Sequence, residues 1–269
     1  MKLGINTYAY MWSIGFEGAS PKHPLSAMGL LEKIRELKLK VLQIGPNLPL
    51  DKLPETQLDE FIQKAREWNI TLELGTRGLD YEHLVKQVGL ARKMGSDLLR
   101  TVPELAGKPA EAEDIPRYFN QIRPLLESSG VRLAIENSVI PATDLRHAIE
   151  KARSPYLGVV LDTTNSLAVP EGWKYITEIL APHVMCLHLK EFIIKRVWHK
   201  MGFVCEGRPA GQGQLDVPWL LDTLKASVHD FNVVIEQWPP EQPDLEQTIA
   251  IEQAWAMESV AFLRRFIAG

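Results

Sequence analysis

The sequence predicts an α/β fold, a single (β/α)8 barrel domain that spans residues 1–269. Strand-like and helix-like segments alternate along the whole chain. The strand-like segments are short and continuously apolar, as expected for a parallel sheet that is buried on both faces. Four of them end in an acidic or imidazole residue, which suits a barrel whose strands all end at one face. An open doubly wound sheet is the alternative, but the glycine-rich phosphate loop that usually follows an early strand of such a sheet is missing.

Eight strands are predicted, each followed by one helix. The strands are expected at 2–8, 40–45, 70–75, 97–102, 131–136, 157–162, 183–188 and 231–236. The helices are expected at 24–39, 55–68, 80–94, 110–129, 143–151, 173–180, 217–227 and 244–267. Asp80 is a candidate N-cap, and Gly95 and Gly130 are candidate helix stops. The loop 191–213 is the one oversized connection, and a loop of this length in a compact domain is usually functional.

The composition excludes several classes of protein. The formal charge of −4 argues against a general nucleic-acid-binding protein, which usually has a basic surface. The two cysteines, Cys186 and Cys205, form no CxxC motif and imply no disulfide framework. The first residues lack a signal-peptide pattern, and no apolar stretch is long enough to span a membrane. We therefore expect a cytoplasmic protein with no nucleic-acid or membrane partner.

Four polar residues end the last four predicted strands: Glu136, Asp162, His188 and Glu236. Taken singly, each is more often an ion-pairing or hydrogen-bonded residue than a functional one. Together they occupy the ends of consecutive strands, which lie only about 5 Å apart in a sheet. Three carboxylates and one imidazole are ligands that suit a divalent cation. The pattern therefore predicts a metal site at the C-terminal face of the barrel.

The chain resembles the xylose isomerase-like TIM barrels, the sugar-phosphate isomerase/epimerase group that includes ketose 3-epimerases. The resemblance covers essentially the whole length. Its most specific segments are Ile135-Glu136-Asn137, Leu161-Asp162-Thr163, Leu187-His188-Leu189-Lys190, Arg208-Pro209-Ala210-Gly211-Gln212-Gly213 and Ile235-Glu236. The resemblance implies that the four strand-end residues bind the metal, that Glu136 and Glu236 are catalytic acid/base groups, and that Arg208 binds substrate.

Two positions depart from the family pattern. Asn165 stands where many members have a histidine that contacts substrate or a second metal. This difference argues for one metal ion and against the multi-zinc abasic-site nucleases of the same superfamily. Gln43 stands where many members end the second strand with a glutamate. These differences leave the substrate open.

The leading interpretation is a metal-dependent isomerase or epimerase of a small sugar or sugar derivative: a ketose, a sugar acid or a sugar phosphate. Glu136 and Glu236 would remove and return a proton through a metal-bound enediolate. The alternative is a metal-dependent decarboxylase of an oxo sugar acid such as 3-oxo-isoapionate, because the basic loop also resembles that of 3-oxo-isoapionate decarboxylases. A non-catalytic sugar-binding barrel is the third interpretation. The choice among Mn²⁺, Mg²⁺, Co²⁺ and Zn²⁺ stays open, and so does assembly into a homo-oligomer.

Further residues are expected to contact the small carbohydrate substrate. Lys190 and Arg208 bracket the basic loop, and an arginine fork matches a carboxylate or phosphate. The other candidates are Asn137, Asn165, Tyr8, Trp12, Trp238 and Glu73. Trp12 and Trp238 could instead be packing residues, and Glu73 could simply pair with Arg77. His147 and His229 are expected to be structural.

Overall fold

Eight parallel strands close into a barrel in the computed structural model, which describes residues 1–228 and 230–267. Each strand is hydrogen-bonded to its chain neighbours, and the last strand pairs with the first through Leu3 and Val233. The prediction of a (β/α)8 barrel is confirmed. His229, which was expected to be structural, lies outside the described residues.

The strands and the helices that follow them alternate as β1–β8 and α1–α8. The strands are β1 (Leu3–Asn6), β2 (Val41–Ile44), β3 (Thr71–Arg77), β4 (Leu98–Val102), β5 (Arg132–Glu136), β6 (Leu157–Asp162), β7 (Val184–Lys190) and β8 (Asn232–Glu236). The helices are α1 (Ala27–Glu36), α2 (Glu55–Glu67), α3 (Tyr81–Met94), α4 (Asp114–Ser129), α5 (Ala142–Ala152), α6 (Trp173–Leu180), α7 (Val217–Ser227) and α8 (Leu245–Leu263).

The helix ends follow the predicted turn chemistry in part. Gly95 and Gly130 adopt left-handed conformations, with φ of 75° and 72°, and end α3 and α4. This conformation favours glycine because it has no Cβ atom. Asp80 occupies the N-cap position of α3, but its side chain makes no capping hydrogen bond within the described residues.

Two sequence-based boundaries were wrong in ways that matter for the site. Strand β7 continues beyond His188 to Lys190, so His188 is not its final residue. The loop 191–213 is not irregular throughout, because Phe192–Arg196 and Phe203–Gly207 pair as an antiparallel ribbon. Both ribbon segments are rich in β-branched and aromatic residues, which favour strands.

The apolar core has two parts. The larger one lies between the sheet and the helices and includes Leu30, Leu31 and Ile34 of α1. The smaller one fills the inside of the barrel and consists of Val41, Leu98, Ala134, Val160, Cys186 and Val234. This inner cluster defines which strand positions point inward.

None of the helices among the described residues is both long enough and apolar enough to cross a lipid bilayer.

Candidate metal centre and substrate cavity

Every barrel strand contributes one buried polar side chain to a single layer above the inner apolar cluster. Side chains alternate between the two faces of a strand, so the inward position recurs every second residue. Two residues beyond each member of the apolar cluster, the inward residue is polar. The layer, one residue per strand from β1 to β8, consists of Asn6, Gln43, Glu73, Arg100, Glu136, Asp162, His188 and Glu236. We call this set the polar layer.

Three of the four predicted ligands form one group. The candidate ligand atoms of Glu136, Asp162 and His188 all lie within 4.8 Å of one another. Asp162 and His188 are direct partners in the β6–β7 register, which explains why they lie side by side. Glu236 lies next to this group, with its Oε1 atom 3.2 Å from Nδ1 of His188. The predicted set therefore converges, with Glu236 at its edge.

The donor atoms fit a divalent cation. Four buried atoms of the predicted ligands form no hydrogen bond within the described residues and make only charged contacts: Glu136 Oε2 with Arg100, Asp162 Oδ2 with Lys190, and His188 Nδ1 with Glu236 Oε1. Buried polar atoms are normally hydrogen-bonded, so a group of atoms held only in this way requires an explanation. Carboxylate oxygens and an imidazole nitrogen are suitable ligands for several divalent metals. A metal ion at this position would satisfy all four atoms.

The orientation of His188 is set by residues of strands β1–β4, the first half of the barrel. Its Nε2 atom lies 2.6 Å from Oε1 of Gln43, while the amide nitrogen of Gln43 donates to Glu73. Asn6 donates to the same Gln43 oxygen over 2.6 Å, which fixes that oxygen as an acceptor. Nε2 of His188 therefore donates to Gln43, and Nδ1 faces the carboxylates of Glu136 and Glu236. Such outer contacts commonly fix the tautomer of a metal-binding histidine.

Asp162 is held by hydrogen bonds to one of its two carboxylate oxygens. Its Oδ1 atom accepts hydrogen bonds from the Thr164 amide and hydroxyl and from the Asn165 amide, at 2.8 to 2.9 Å. Asn137 bridges to the Asp162 backbone, accepting from its N–H over 2.6 Å and donating to its carbonyl over 3.0 Å. Oδ2 accepts none of these hydrogen bonds and faces the Lys190 ammonium at 2.8 Å. Asn137 thus positions a ligand and is not itself part of the cavity wall.

Two cationic side chains lie against the carboxylates. Arg100 forms an ion pair with Glu136 through Nε and lies 3.7 Å from Glu236 through Nη2. Nζ of Lys190 lies 2.8 Å from Asp162 and 2.9 Å from Glu236. Sequence reasoning did not single out Arg100. Arg100 lies two residues after Leu98 of the inner apolar cluster, at the same inward position that holds a polar residue in the other strands.

These contacts shift the protonation equilibria of the layer. Burial acts to raise the pKa of Glu236, but Lys190, His188 and Arg100 outweigh it and lower this pKa to about 2. Burial acts to lower the pKa of Lys190, but Asp162 and Glu236 outweigh it and raise this pKa above its usual value. The carboxylate and the ammonium are therefore both charged in the metal-free protein.

A cavity of about 600 Å³ opens above the layer. Its wall contains the predicted contacts Tyr8, Asn165, Lys190 and Trp238, together with Glu136 and Glu236. The side-chain amide of Asn165 donates to Glu136 over 2.7 Å, and the Lys190 ammonium lies 6.0 Å from the centre of the Trp238 ring. Arg77 and Glu104 form an ion pair in the same wall. The cavity is of the size that holds a small ligand.

Glu73 and Arg208 lie outside the cavity wall. Glu73 accepts hydrogen bonds from Gln43 over 3.0 Å and from Asn232 over 2.6 Å, and burial raises its pKa. It does not pair with Arg77, the alternative left open by the sequence. Arg208 pairs with Glu206 over 2.7 Å and donates to the Gly207 carbonyl. Contact of Glu73 or Arg208 with substrate stays a prediction.

Trp12 also lies outside the wall, in a segment that follows β1. A buried glutamate of α8, Glu252, accepts hydrogen bonds from the Trp12 amide and from the amide and hydroxyl of Ser13. Burial raises the pKa of Glu252 to about 7, against these hydrogen bonds. Because Tyr8 and Met11 of the same segment line the cavity, Glu252 helps to set one side of it.

Comparison with known proteins finds relatives that match almost the whole chain. A 3-oxo-isoapionate decarboxylase of Pectobacterium atrosepticum is 29% identical over 264 residues, which cover 98% of this chain and 95% of that protein. A D-psicose 3-epimerase structure with D-tagatose from Clostridium cellulolyticum has a TM-score of 0.73 at 16% identity and covers 99% of both chains. An IOLI protein structure with a binding zinc atom has a TM-score of 0.68 at 16% identity and covers 100% of both chains.

The two structural likenesses establish the fold alone. The family is established by a sequence match: the model of the xylose isomerase-like TIM barrel family matches residues 12–266. This chain therefore belongs to the xylose isomerase-like TIM barrel family.

Proposed function

We propose that the protein is a divalent-metal-dependent decarboxylase that acts on a small oxo sugar acid. The observation that carries the proposal is the charge of the polar layer together with Lys190, where Glu73 is counted as protonated because burial raises its pKa. The carboxylates of Glu136, Asp162 and Glu236 bring three negative charges, and Arg100 and Lys190 bring two positive ones. With a divalent ion bound, one positive charge remains, and a site of one sign attracts a ligand of the other. This balance favours a substrate with one negative charge over a neutral ketose.

The likeness to the curated relative supports the same substrate class. That relative is a 3-oxo-isoapionate decarboxylase, and the match extends over almost the whole of both chains. Its reaction removes a carboxylate from an oxo sugar acid, a monoanion. We therefore place decarboxylation ahead of isomerisation.

The four strand residues Glu136, Asp162, His188 and Glu236 would hold the metal ion. When bound there, a divalent cation supplies Lewis-acid stabilisation of negative charge on an oxo group. Gln43 keeps the lone pair of His188 directed at the ligand group. The remaining steps are derived from the side chains of the chain itself.

In the proposed reaction, the bond between the substrate carboxylate and its neighbouring carbon breaks and carbon dioxide leaves. The electron pair of that bond moves toward the oxo oxygen, where the fixed charges of Arg100 and Lys190 stabilise it. A proton is then delivered to the carbon that lost the carboxylate. We assign this delivery to Tyr8, because its side chain lines the cavity together with Glu136 and Glu236.

Isomerisation or epimerisation is the second candidate. Glu136 and Glu236 both line the cavity, and both contact Arg100. One carboxylate could remove the proton next to a substrate carbonyl while the other returns it. This arrangement favours proton transfer on an intact carbon skeleton.

The test uses the protein loaded with Mn²⁺ in D₂O and a panel of carboxyl-¹³C oxo sugar acids, ketoses and sugar phosphates, followed by NMR. We expect labelled bicarbonate and a product that is one carbon shorter and carries deuterium. Deuterium next to the carbonyl of a compound with all its carbons would instead establish the second candidate. No reaction with any panel member would contradict both.

The substitution Glu136→Gln tests whether turnover depends on the ligand group in particular rather than on any carboxylate of the cavity wall. It should lower turnover at least about 1,000-fold, since an essential charged group in a catalytic site typically contributes this much. The matched control is Glu104→Gln, a wall carboxylate that pairs with Arg77 outside the polar layer. Turnover of the control should stay within about tenfold of wild type. Equal effects of the two substitutions would remove Glu136 from the proposed site.

A further inference from the structure

The segment between β7 and α7 forms a separate two-stranded ribbon, of which Cys205 lines the substrate cavity of its own chain. We call residues 192–207 the arm; it consists of Phe192–Arg196, a turn, and Phe203–Gly207. Within the described residues its strands pair only with each other. The arm is anchored at its base by Glu191, which accepts hydrogen bonds from the Phe192, Gly211 and Leu215 amides. An isolated two-stranded ribbon is only marginally stable in water, so the rest of the arm calls for a partner surface.

The end of the arm exposes large apolar side chains. Trp198 is 92% exposed, Met201 86% and Phe203 63%. Each of these side chains would gain stability on transfer from water to an apolar surface. Clustered exposed apolar groups of this kind mark an interaction site.

The arm is also basic. Lys195 is neutralised by Glu206 at 2.7 Å. Arg196 stacks on Phe203 and donates to the Lys200 carbonyl. Neither Arg196 nor Lys200 pairs with an acidic side chain among the described residues. The surface that receives the arm should therefore be apolar and acidic.

The same face of the barrel carries such a surface. A cavity of about 500 Å³ lies between the segment that precedes α4 and the start of α5. Three acidic residues line it, namely Glu111, Glu113 and Asp144, alongside Pro109 and Val139. Val139 is 43% exposed. Pro109 and Val139 also line the substrate cavity, so the two cavities share a wall.

We propose that this acidic cavity receives the arm of a second copy of the same chain. Each copy has one arm and one cavity, both at the C-terminal face, so two copies can exchange arms around a two-fold axis. Trp198 and Met201 would fill the cavity. Lys200 would lie near its acidic residues, which outnumber the basic side chain of Lys151 in the same wall. An arm seated there would cover the shared wall at the mouth of the partner copy's substrate cavity.

The proposal does not depend on the reaction that the protein catalyses, and its first test is the mass of the intact protein by sedimentation velocity. We expect a dimer. Trp198→Ser should raise the dimer dissociation constant about 30-fold or more, as loss of a buried tryptophan anchor does. The control is Met257→Ser, which removes a 56% exposed methionine of α8 that belongs neither to the arm nor to the lining of the acidic cavity and should leave the dimer intact. A monomeric wild type, or a dimer that withstands Trp198→Ser, would overturn the proposal.

Charge exchange tests the receiving surface without relying on a variant that folds poorly. Lys200→Glu alone and Asp144→Lys alone should each weaken the dimer, because each places like charges together. In a double variant that carries both substitutions, opposite charges meet again and the dimer should recover. Failure of the double variant to recover, while circular dichroism shows a wild-type spectrum, would exclude this cavity as the receiving surface.

Cross-linking distinguishes a second copy from an arm that folds back on its own chain. Equal amounts of ¹⁵N-labelled and unlabelled protein are mixed, equilibrated and treated with a carbodiimide, which joins amines to carboxylates. We expect Lys200 linked to Glu113 or Asp144 in peptides that mix the two labels. Links confined to peptides of one label would place the arm on its own barrel and refute the exchange.

Discussion

The two halves of the barrel contribute to the polar layer in different ways. Strands β5–β8 supply three carboxylates and an imidazole, and the candidate ligand atoms of Glu136, Asp162 and His188 lie close together with Glu236 beside them. Strands β1–β4 supply two amides, a carboxyl group and a guanidinium: Gln43 and Arg100 contact the groups of the other half directly, whereas Asn6 and Glu73 contact Gln43. The same inward strand position therefore provides ligands in one half and their supports in the other.

This difference shows how a barrel can position a metal site with little help from its loops. His188 is oriented by Gln43 from across the barrel, and Glu136 and Glu236 are both held by Arg100. Backbone hydrogen bonds fix every one of these strands. Groups that are held before the substrate arrives need no reorganisation during the reaction.

The first prediction, with the largest expected effect, concerns the charge that the first half supplies. In the metal-free protein, Arg100→Met should lower the free energy of unfolding by about 3–5 kcal/mol, because it removes the guanidinium that pairs with buried Glu136 and leaves Glu236 with Lys190 alone. With saturating Mn²⁺ the loss should be smaller, since the ion compensates the same carboxylates. Urea denaturation with EDTA and with Mn²⁺ measures both values.

Arg77→Met is the matched control for this prediction. Arg77 is also an arginine that pairs with a glutamate in the cavity wall, but it is half exposed and lies outside the polar layer. Its removal should cost no more than about 1 kcal/mol, with or without metal. If Mn²⁺ failed to reduce the effect of Arg100→Met, the metal would not share the carboxylates with Arg100.

The difference between the halves also explains what the sequence could reveal. In β5–β8 an acidic or imidazole residue stands out against four apolar runs, and its repetition in consecutive strands predicted the ligand group. The barrel followed from the same runs, and strand β6 was predicted with the bounds that it has in the structure. Apolar runs and the abrupt polar residues that end them are local signals, which a single sequence displays.

The supports were harder to predict because each depends on a partner from a distant strand. Arg100 lies within β4, and nothing near it in the sequence identifies Glu136 as its partner. Gln43 is recognised as a support only when its contact with His188, 145 residues away, is known. Both residues could have been identified by knowing which alternate residues of each strand point into the barrel, but this knowledge requires the register of the strands in the barrel. Likewise, the ribbon form of the arm depends on pairing across a turn.

The second prediction concerns the orientation of His188. Gln43→Leu should weaken Mn²⁺ binding about 10-fold to 100-fold, because loss of a partner behind a metal ligand typically costs that much. Isothermal titration calorimetry of the metal-free protein measures the change. Gln63→Leu is the control, since the Gln63 side chain donates to Glu67 on the exposed face of α2, outside the polar layer. An unchanged affinity in Gln43→Leu would mean that this contact does not prepare His188 for a metal.

The third and smallest effect concerns the pH dependence of stability, in which carboxylates of the two halves differ in sign. Burial raises the pKa of Glu73 in β3, whereas cations lower the pKa of Glu236 in β8. A raised pKa means that the folded state favours the proton. The stability that Glu73 contributes is therefore fully present below its unfolded pKa and lost as the pH rises through its folded pKa. Glu73→Gln mimics the protonated form, so the variant should gain stability relative to wild type as the pH rises from 4.5 to 8.

Urea denaturation at several pH values in EDTA measures this gain, with Glu60→Gln on the exposed face of α2 as the control for loss of a glutamate charge. The effect should be modest because the Gln43 and Asn232 amides already stabilise an ionised Glu73. It should also have the opposite sign to the contribution of Glu236, which is present above about pH 4.5 and lost as the pH falls toward 2. If Glu73→Gln lost stability as the pH rose, Glu73 would be an ionised member of the layer. The metal-loaded layer would then carry no net charge, and the preference for an anionic substrate would lose its electrostatic basis.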